Sequence, residues 1–262
     1  MDPEIGSTGV AGSGERPLLT IAVPTYNRCA LLEATLETIA SQVAPVRHEV
    51  ELLVANNGSP DATAAMLESF VVRYPFVKVH NHPANIGPDP NFAFCLRQAT
   101  GRYFWLYGDD DLLGDGAIEA LASVLRAEDP DIVHLRHEWF VGEPPPIPKA
   151  SGKYTVYRDE RAFLKAIGPL VTFITSTVVR NSGVSDNVLD ALTGSFMIQY
   201  AWVLPRIAPG TKMVYLDGLN LLARGSNSYG YSYVDTFGKS MQKTLARCEE
   251  LGILSAEDRK QL

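Results

Sequence analysis

The sequence predicts an α/β fold, a mostly parallel central sheet with helices on both faces. Three observations carry that prediction. Short apolar runs alternate with amphipathic runs from residue 18 to residue 135. Each apolar run stops at a cluster of turn-forming residues, and the helical runs open on capping signals. Alternation of this kind, sustained over several units, is the pattern of strands joined by crossover helices.

Taken in order, Leu18 to Val23 is the first apolar run, and it stops at Pro24. Ala30 to Gln42 follows, with Leu31, Leu32, Leu36 and Ile39 at the spacing of one helical face. Val50 to Ala55 reads as a second strand, ended by Asn56, Asn57 and Gly58. Ser59 then Pro60 sets a capping hydroxyl ahead of a proline at the first helical position, where its missing N–H costs nothing. Val77 to His80 is a third strand, and Asp89 then Pro90 opens the next helix by the same logic. Tyr103 to Tyr107 is a fourth strand that runs straight into Gly108 and three aspartates. Asp115 to Arg126 predicts a helix and Ile132 to Leu135 a strand.

The pattern then changes. Glu143 to Pro148 holds four prolines in six residues, a linker or extended loop. Beyond it come β-rich runs at Tyr154 to Tyr157 and Thr172 to Val179. The apolar stretch Phe196 to Ile207 predicts a helix packed on the sheet, and Thr236 to Leu251 an amphipathic helix. The chain thus divides into residues 1–16, Gly/Ser-rich and read as a flexible tail, residues 17–140, and a less regular part at 141–262. The tail lacks the apolar run of a secretory leader. No stretch is long and apolar enough to predict a membrane-spanning helix.

Composition narrows the function classes. A net charge of −7 gives no reason to expect nucleic acid as a partner. The three cysteines, Cys29, Cys95 and Cys248, have no metal-ligand spacing and suggest a reducing compartment. Histidines 48, 80, 82, 134 and 137 form no ligand-spaced cluster, and His134, inside an apolar strand, reads as core. Neither a P-loop nor a strand-linked GxGxxG is present, which disfavours P-loop NTPases and dinucleotide-binding enzymes.

Asp109, Asp110 and Asp111 are the strongest chemical feature. Adjacent carboxylates repel, and gathering them in a fold is costly unless a cation neutralises them. Hard oxygens suit Mg²⁺ or Mn²⁺, ions that keep waters and bridge to substrate phosphates. The bland alternative is a solvated acidic turn. Its setting argues against that, because the aspartates end a buried-looking aromatic strand. In parallel sheets ligands bind beyond the carboxyl ends of the strands. Three polar clusters fall there: Thr25 to Arg28, Asn56 to Asp61, and Asp109 to Asp111.

AVPTYNR at 22–28, ANNGSPDAT at 55–63, NIG at 85–87 and ATGRYFWLYGDDDLL at 99–113 stand in the order and spacing of glycosyltransferase family 2. The chain resembles that family over residues 17–136, and its GDDDLL variant is similar to bacterial O-antigen and abequosyltransferase-like members. The resemblance implies a GT-A fold, a Rossmann-like, mostly parallel sheet with an irregular C-terminal acceptor-side part. It implies a metal-dependent, inverting transfer from a nucleotide-diphosphate sugar, with a UDP-sugar as the first expectation, to a saccharide or lipid-linked acceptor. It also implies a cytoplasmic protein, with peripheral association at the inner face of the membrane as an option.

Position by position, the resemblance places Pro24, Thr25 and Tyr26 around the nucleoside and lets Arg28 reach a phosphate. Asn56 stands where relatives carry an aspartate that bonds the base, so the nucleobase stays open. Asp61 reads better as a helix-start residue. Asn85 and Gly87 resemble a donor-site loop, or else an ordinary turn. Asp109 would sit nearest the ribose, Asp110 nearest the metal, and Asp111 would be a second ligand or an acceptor-orienting group. Asp186 and Asp190 fall where a general base is expected, and they read equally as surface carboxylates. Gln199 and Tyr200 would shape an acceptor pocket or pack the core. Trp105 and Trp139 read as packing residues, although an exposed Trp139 could stack on a sugar. Two other readings remain: an inactive nucleotide-sugar-binding scaffold and a sugar-nucleotidyltransferase.

Overall fold

The computed structural model describes residues 16–146, 149–168, 171, 173–225 and 240–259. The tail therefore lies outside the described residues, apart from Arg16, as do Thr236 to Lys239 at the start of the last predicted helix. In chain order the elements are β1 (Leu19–Thr25), α1 (Cys29–Val43), β2 (Val50–Asn56), α2 (Thr63–Arg73), β3 (Val77–Asn81) and α3 (Pro88–Gln98). Then come β4 (Tyr103–Leu106), β5 (Leu112–Leu113), α4 (Ala117–Glu128), β6 (Ile132–Phe140), β7 (Tyr154–Tyr157) and α5 (Glu160–Ile167). The remainder is β8 (Thr177–Arg180), α6 (Asp186–Leu192), α7 (Tyr200–Val203), β9 (Met213–Arg224), α8 (Met241–Glu250) and α9 (Ala256–Arg259).

Among the described residues, nine strands join one sheet in the order β3-β2-β1-β4-β8-β6-β9-β5, with β7 also on β9. The four N-terminal strands are mutually parallel. β8 is antiparallel to both β4 and β6, and β6 and β9 are parallel. Residues of β1 alternate between two cores. Leu19, Ile21 and Val23 meet Leu32, Leu36 and Ile39 of α1 and Leu121 of α4 on one face. Ala22, Leu53 and Phe104 meet Leu96 of α3, Leu189 of α6 and Trp202 of α7 on the other. This side-to-side alternation is the period-2 geometry of a strand. Because both faces are covered, the strands read as continuous apolar runs.

α2 begins at Thr63 rather than behind Ser59–Pro60, whose hydroxyl bonds Asn56 and Asn27 instead, and two further expectations change. The predicted helix over Phe196 to Ile207 is a turn, the short α7 and a 3-10 turn at Leu204–Arg206. Pro205 cannot continue an α-helix, and Phe196 has a left-handed backbone with φ 60. The second surprise is β9, a 12-residue strand that the sequence did not announce. Asp217, Gly218 and Asn220 interrupt its apolar periodicity, its register with β6 shifts between Leu135 and His137, and pairing on both edges makes it a strand.

Candidate functional site

The site forms where β1, β2 and β4 end side by side. Thr25 pairs with Asn56 across β1 and β2, and Ala22 with Leu106 across β1 and β4. The loops that leave these strand ends therefore converge. Asn27 N–H donates to Ser59 Oγ (2.9 Å), and Asn57 N–H to the Thr25 carbonyl (2.9 Å), tying the first two loops together.

The three aspartates differ in how they are held. Asp109 is buried, accepting from Thr25 Oγ1 (2.7 Å) and from Arg28 Nη1 (2.9 Å). Asp110 is more open and accepts from the same Arg28 nitrogen (3.1 Å). Asp111 is buried, with Thr175 Oγ1 donating to Oδ2 (2.5 Å) and the Arg224 N–H to Oδ1 (2.9 Å). Thr35 Oγ1 bonds the carbonyls of Asp109 (3.2 Å) and Asp111 (3.0 Å), so the backbone of the turn is anchored to α1. Gly108 makes the approach of Thr175 possible: a Cβ there would stand 2.8 Å from Asp111 Oδ2 and 2.9 Å from Thr175 Oγ1.

Electrostatically the cluster is under-compensated. Burial pushes the carboxyl of Asp109 up to about 6, against the pull of Arg28, and Asp110 adds to the rise. Burial, then repulsion from Asp110, pushes Asp111 up to about 7. The Arg28 guanidinium contacts two of the three carboxylates, whereas that of Arg224 lies over Phe140, 4.6 Å from its centroid. An added cation would be favourable here, and the carboxylates keep lone pairs for one. Among the described residues no three carboxylate, imidazole or thiolate groups converge on one point. A Mg²⁺ or Mn²⁺ ion would thus take few protein ligands, from Asp110 and Asp109, and complete its shell with phosphate oxygens and water.

The other predicted residues fall as follows. Pro24 is buried within β1, Tyr26 is 42% exposed at the rim, and the Thr25 hydroxyl is spent on Asp109. Asn56 is buried and turned inward. Its Nδ2 donates to Asn81 Oδ1 (2.8 Å), and its Oδ1 accepts from Ser59 N–H (3.1 Å) and Oγ (2.6 Å). The amide thus orders the loop, and little of it is left for a base. Asp61 bonds the N–H groups of Cys29 (3.0 Å) and Thr63 (3.1 Å) at the starts of α1 and α2.

Asn85 and Gly87 form a built loop. Asn57, which the sequence placed in the rim cluster without a role of its own, donates to Asn85 Oδ1 (3.0 Å) and the Gly87 carbonyl (3.1 Å) and accepts from Ile86 N–H (2.9 Å). Gly58, with φ +65, lets this loop lie on it: a Cβ would come within 2.5 Å of the Ala84 carbonyl carbon.

Asp186 is not brought to the aspartate turn. Asp186 is exposed and paired with Arg97 (2.6 Å) in the last turn of α3, at the end of that helix remote from Gly87. Asp190 is also exposed. Gln199 and Tyr200 are buried. Thr35, Thr175 and Arg224 are the residues that sequence reasoning missed. Each reaches the turn from a distant part of the chain, and no local signal marks them.

The fold and the acidic strand end define a GT-A type α/β protein. The family model for glycosyl transferase family 2 matches residues 20–186. The chain belongs to that family. Among curated proteins it is 31% identical over 112 residues to the abequosyltransferase RfbV of Salmonella typhimurium, covering 42% of this chain and 33% of that protein. It is 31% identical over 106 residues to a GalNAc(5)-diNAcBac-PP-undecaprenol beta-1,3-glucosyltransferase of Campylobacter jejuni, covering 40% of this chain and 33% of that protein. Each match thus spans about a third of the relative's length. Among solved structures, S. aureus TarS 1–349 in complex with UDP-GlcNAc superposes with a TM-score of 0.67 at 17% identity, over 93% of this chain and 69% of that one. A mannosyltransferase from Pyrobaculum calidifontis in complex with GDP-Man and Mn²⁺ gives 0.56 at 17%, over 90% of this chain and 65% of that one.

Proposed function

We propose that this protein transfers a sugar from a nucleoside-diphosphate sugar to a hydroxyl of a saccharide or lipid-linked acceptor, with inversion at the anomeric carbon. One observation carries the reading: in a family 2 chain, three aspartates and Arg28 meet at the carboxyl ends of the parallel strands. The solved neighbours named above were crystallised with UDP-GlcNAc or GDP-Man, which supports a nucleotide-sugar donor. A bound divalent ion, Mn²⁺ or Mg²⁺, would supply charge neutralisation for the leaving diphosphate.

The chain's own residues do the rest. Tyr26 and the loop Asn85–Gly87 line the side of the rim where the nucleoside lies, with Pro24 and Asn56 fixing the strand ends beneath it. Thr25 holds Asp109 in place. Arg28, which bridges Asp109 and Asp110, would be within reach of a phosphate, and with Asp109 and Asp110 it would help hold a bound diphosphate and its ion. Asp111, locked by Thr175 and Arg224, faces the acceptor side. Of the two carboxylates read as base candidates, Asp186 is held by Arg97 at the far end of α3, which leaves Asp190 to take the acceptor's proton. A UDP-sugar is the first donor to try. An ordered but catalytically silent binding domain is the second reading, favoured by the inward-turned Asn56 amide.

The test is a thermal-shift panel of UDP, GDP, dTDP and CMP, each with Mn²⁺ and with EDTA. A ligand that binds only the native state raises the melting temperature. One nucleotide should give a metal-dependent rise that disappears in Asp110→Ala. The matching sugar donor should then release nucleoside diphosphate, at a rate cut by about 10² or more in the variant. No shift for any nucleotide would sink the transferase reading, and binding without turnover would establish the silent one.

A further inference from the structure

Trp139 is hard to explain as a packing residue. Trp105 and Trp202, the other two tryptophans, are 0% and 4% exposed, whereas Trp139 is 54% exposed. An exposed indole matters when other rings join it, because a contiguous apolar patch marks a binding surface.

Its surroundings supply those rings. His137 and Trp139 stand two residues apart on β6, so they share a face, and their ring centroids are 5.4 Å apart. Phe173 completes a three-ring cluster, 4.8 Å from His137 and 5.0 Å from Trp139. The imidazole is fixed by a hydrogen bond of 2.7 Å between Nδ1 and Ser176 Oγ. Its second ring nitrogen is a further group able to donate or accept. Burial lowers the basicity of His137, which keeps the ring neutral near pH 7.

The platform and the aspartate turn are one construction. Phe173 and Ser176 flank Thr175, the residue that bonds Asp111 Oδ2 and Gly108 N–H. Trp105 Nε1 donates to the Thr175 carbonyl (2.7 Å), fixing the segment from below. At the neighbouring strand, Trp139 pairs with Ala223, one residue before the Arg224 N–H that bonds Asp111. The rings therefore lie beside the aspartate that faces away from the nucleoside.

We propose that Trp139, Phe173 and His137 form a stacking platform for a pyranose ring of the acceptor, and hence that the acceptor presents a saccharide to this site. The inference rests on the transferase reading above and names its acceptor chemistry. The axial C–H face of a sugar lies flat on indole and phenyl rings, while its hydroxyls bond the imidazole at the edge. An anionic lipid surface fits less well, because the chain carries a net charge of −7 and would be repelled.

Trp139 is the exposed tryptophan, so iodide quenching of intrinsic fluorescence reports on it directly. The probes are methyl glycosides of glucose, galactose, mannose and rhamnose, with saturation-transfer NMR as a second readout. At least one glycoside should shield Trp139 from iodide. Its affinity should fall about tenfold or more in Trp139→Ala and largely return in Trp139→Tyr. The nucleotide-induced thermal shift should persist in both variants, which shows that they fold and separates the two claims. Glycoside binding that survives Trp139→Ala, or no glycoside binding while the nucleotide shift persists, overturns the platform and leaves the transferase reading standing. Shielding by phosphatidylglycerol vesicles but by no glycoside overturns it in favour of a lipid surface. Absence of any nucleotide shift in the parent protein would remove the transferase reading itself.

Discussion

The two halves of the sheet do different work at the same turn. β1 to β4 are parallel, and the loops at their carboxyl ends carry Tyr26, Arg28, Asn57 and the aspartates. β6 to β9 pair in both senses and bring few charged groups to the rim. Yet each half claims one buried aspartate. Asp109 is held by Thr25 and Arg28 of the parallel half, and Asp111 by Thr175 and Arg224 of the mixed half. Asp110, between them, is left the most open of the three, as a cation-binding group should be. The difference teaches that the turn is a seam. The parallel half offers the chemistry, and the mixed half sets where it stands.

The sharpest way to break this comparison is to remove one hydroxyl from each side. Thr175→Val leaves both Asp111 Oδ2 and Gly108 N–H without their partner, in a buried place. Leaving such groups unsatisfied costs about 1–3 kcal/mol. In a domain of this size that lowers Tm by about 5 °C. Thr25→Val removes one donor from Asp109, which keeps Arg28, and should lower Tm by less. A larger loss in Thr25→Val would show that the parallel half alone positions the turn.

The halves also differ in how far the sequence discloses them. The parallel half is legible because β1, β2 and β4 are mainly apolar runs closed by punctuation: Pro24, Asn56–Asn57–Gly58, and Gly108 with its aspartates. Local residues make local structure there. β9 is not legible, because Asp217, Gly218 and Asn220 break its pattern and only pairing with β5, β6 and β7 makes it a strand. The same holds within the site. Arg28 lies in a recognisable loop, whereas Thr175 and Arg224 reach Asp111 across 64 and 113 residues. Contacts of that span leave no trace in a window of sequence. Asn57 is a different case: the sequence places it in the rim cluster, but its role in holding the Asn85–Gly87 loop shows only in three dimensions.

Titration separates the seam from the mixed half more gently, and the two have opposite signs. Asp109 and Asp111 have folded values of about 6 and about 7, above the ordinary 3.8. The folded state then holds more protons than the unfolded one, so their contribution to stability falls as pH rises from about 4 through 7. His134, buried in β6, is pushed down to about 3 from 6.5 by burial, with a further push from His137. There the unfolded state holds more protons, and stability is lost as pH falls below about 6.5. In EDTA, Asp111→Asn should therefore gain on the parent by a few degrees more at about pH 8 than at about pH 5. Mn²⁺ with the nucleotide found in the panel should narrow that gap. A gap that is constant with pH would mean that the rim carries no strain of charge.

The smallest effect is expected farthest from the seam. Asp186 is 74% exposed and paired with Arg97 at the end of α3 that points away from the aspartates. A carboxylate in solvent is an ordinary base, and one without a path to the acceptor contributes nothing to proton transfer. Asp186→Asn should leave kcat within about twofold of the parent and barely move Tm, since exposed ion pairs are worth little. The measurement is steady-state transfer with the donor found in the nucleotide panel, at saturating acceptor. A fall of about 10² or more in kcat, with KM for the donor unchanged, would instead make that residue the base. It would require α6 to move toward the rim during turnover, and the mixed half would then supply chemistry as well as position.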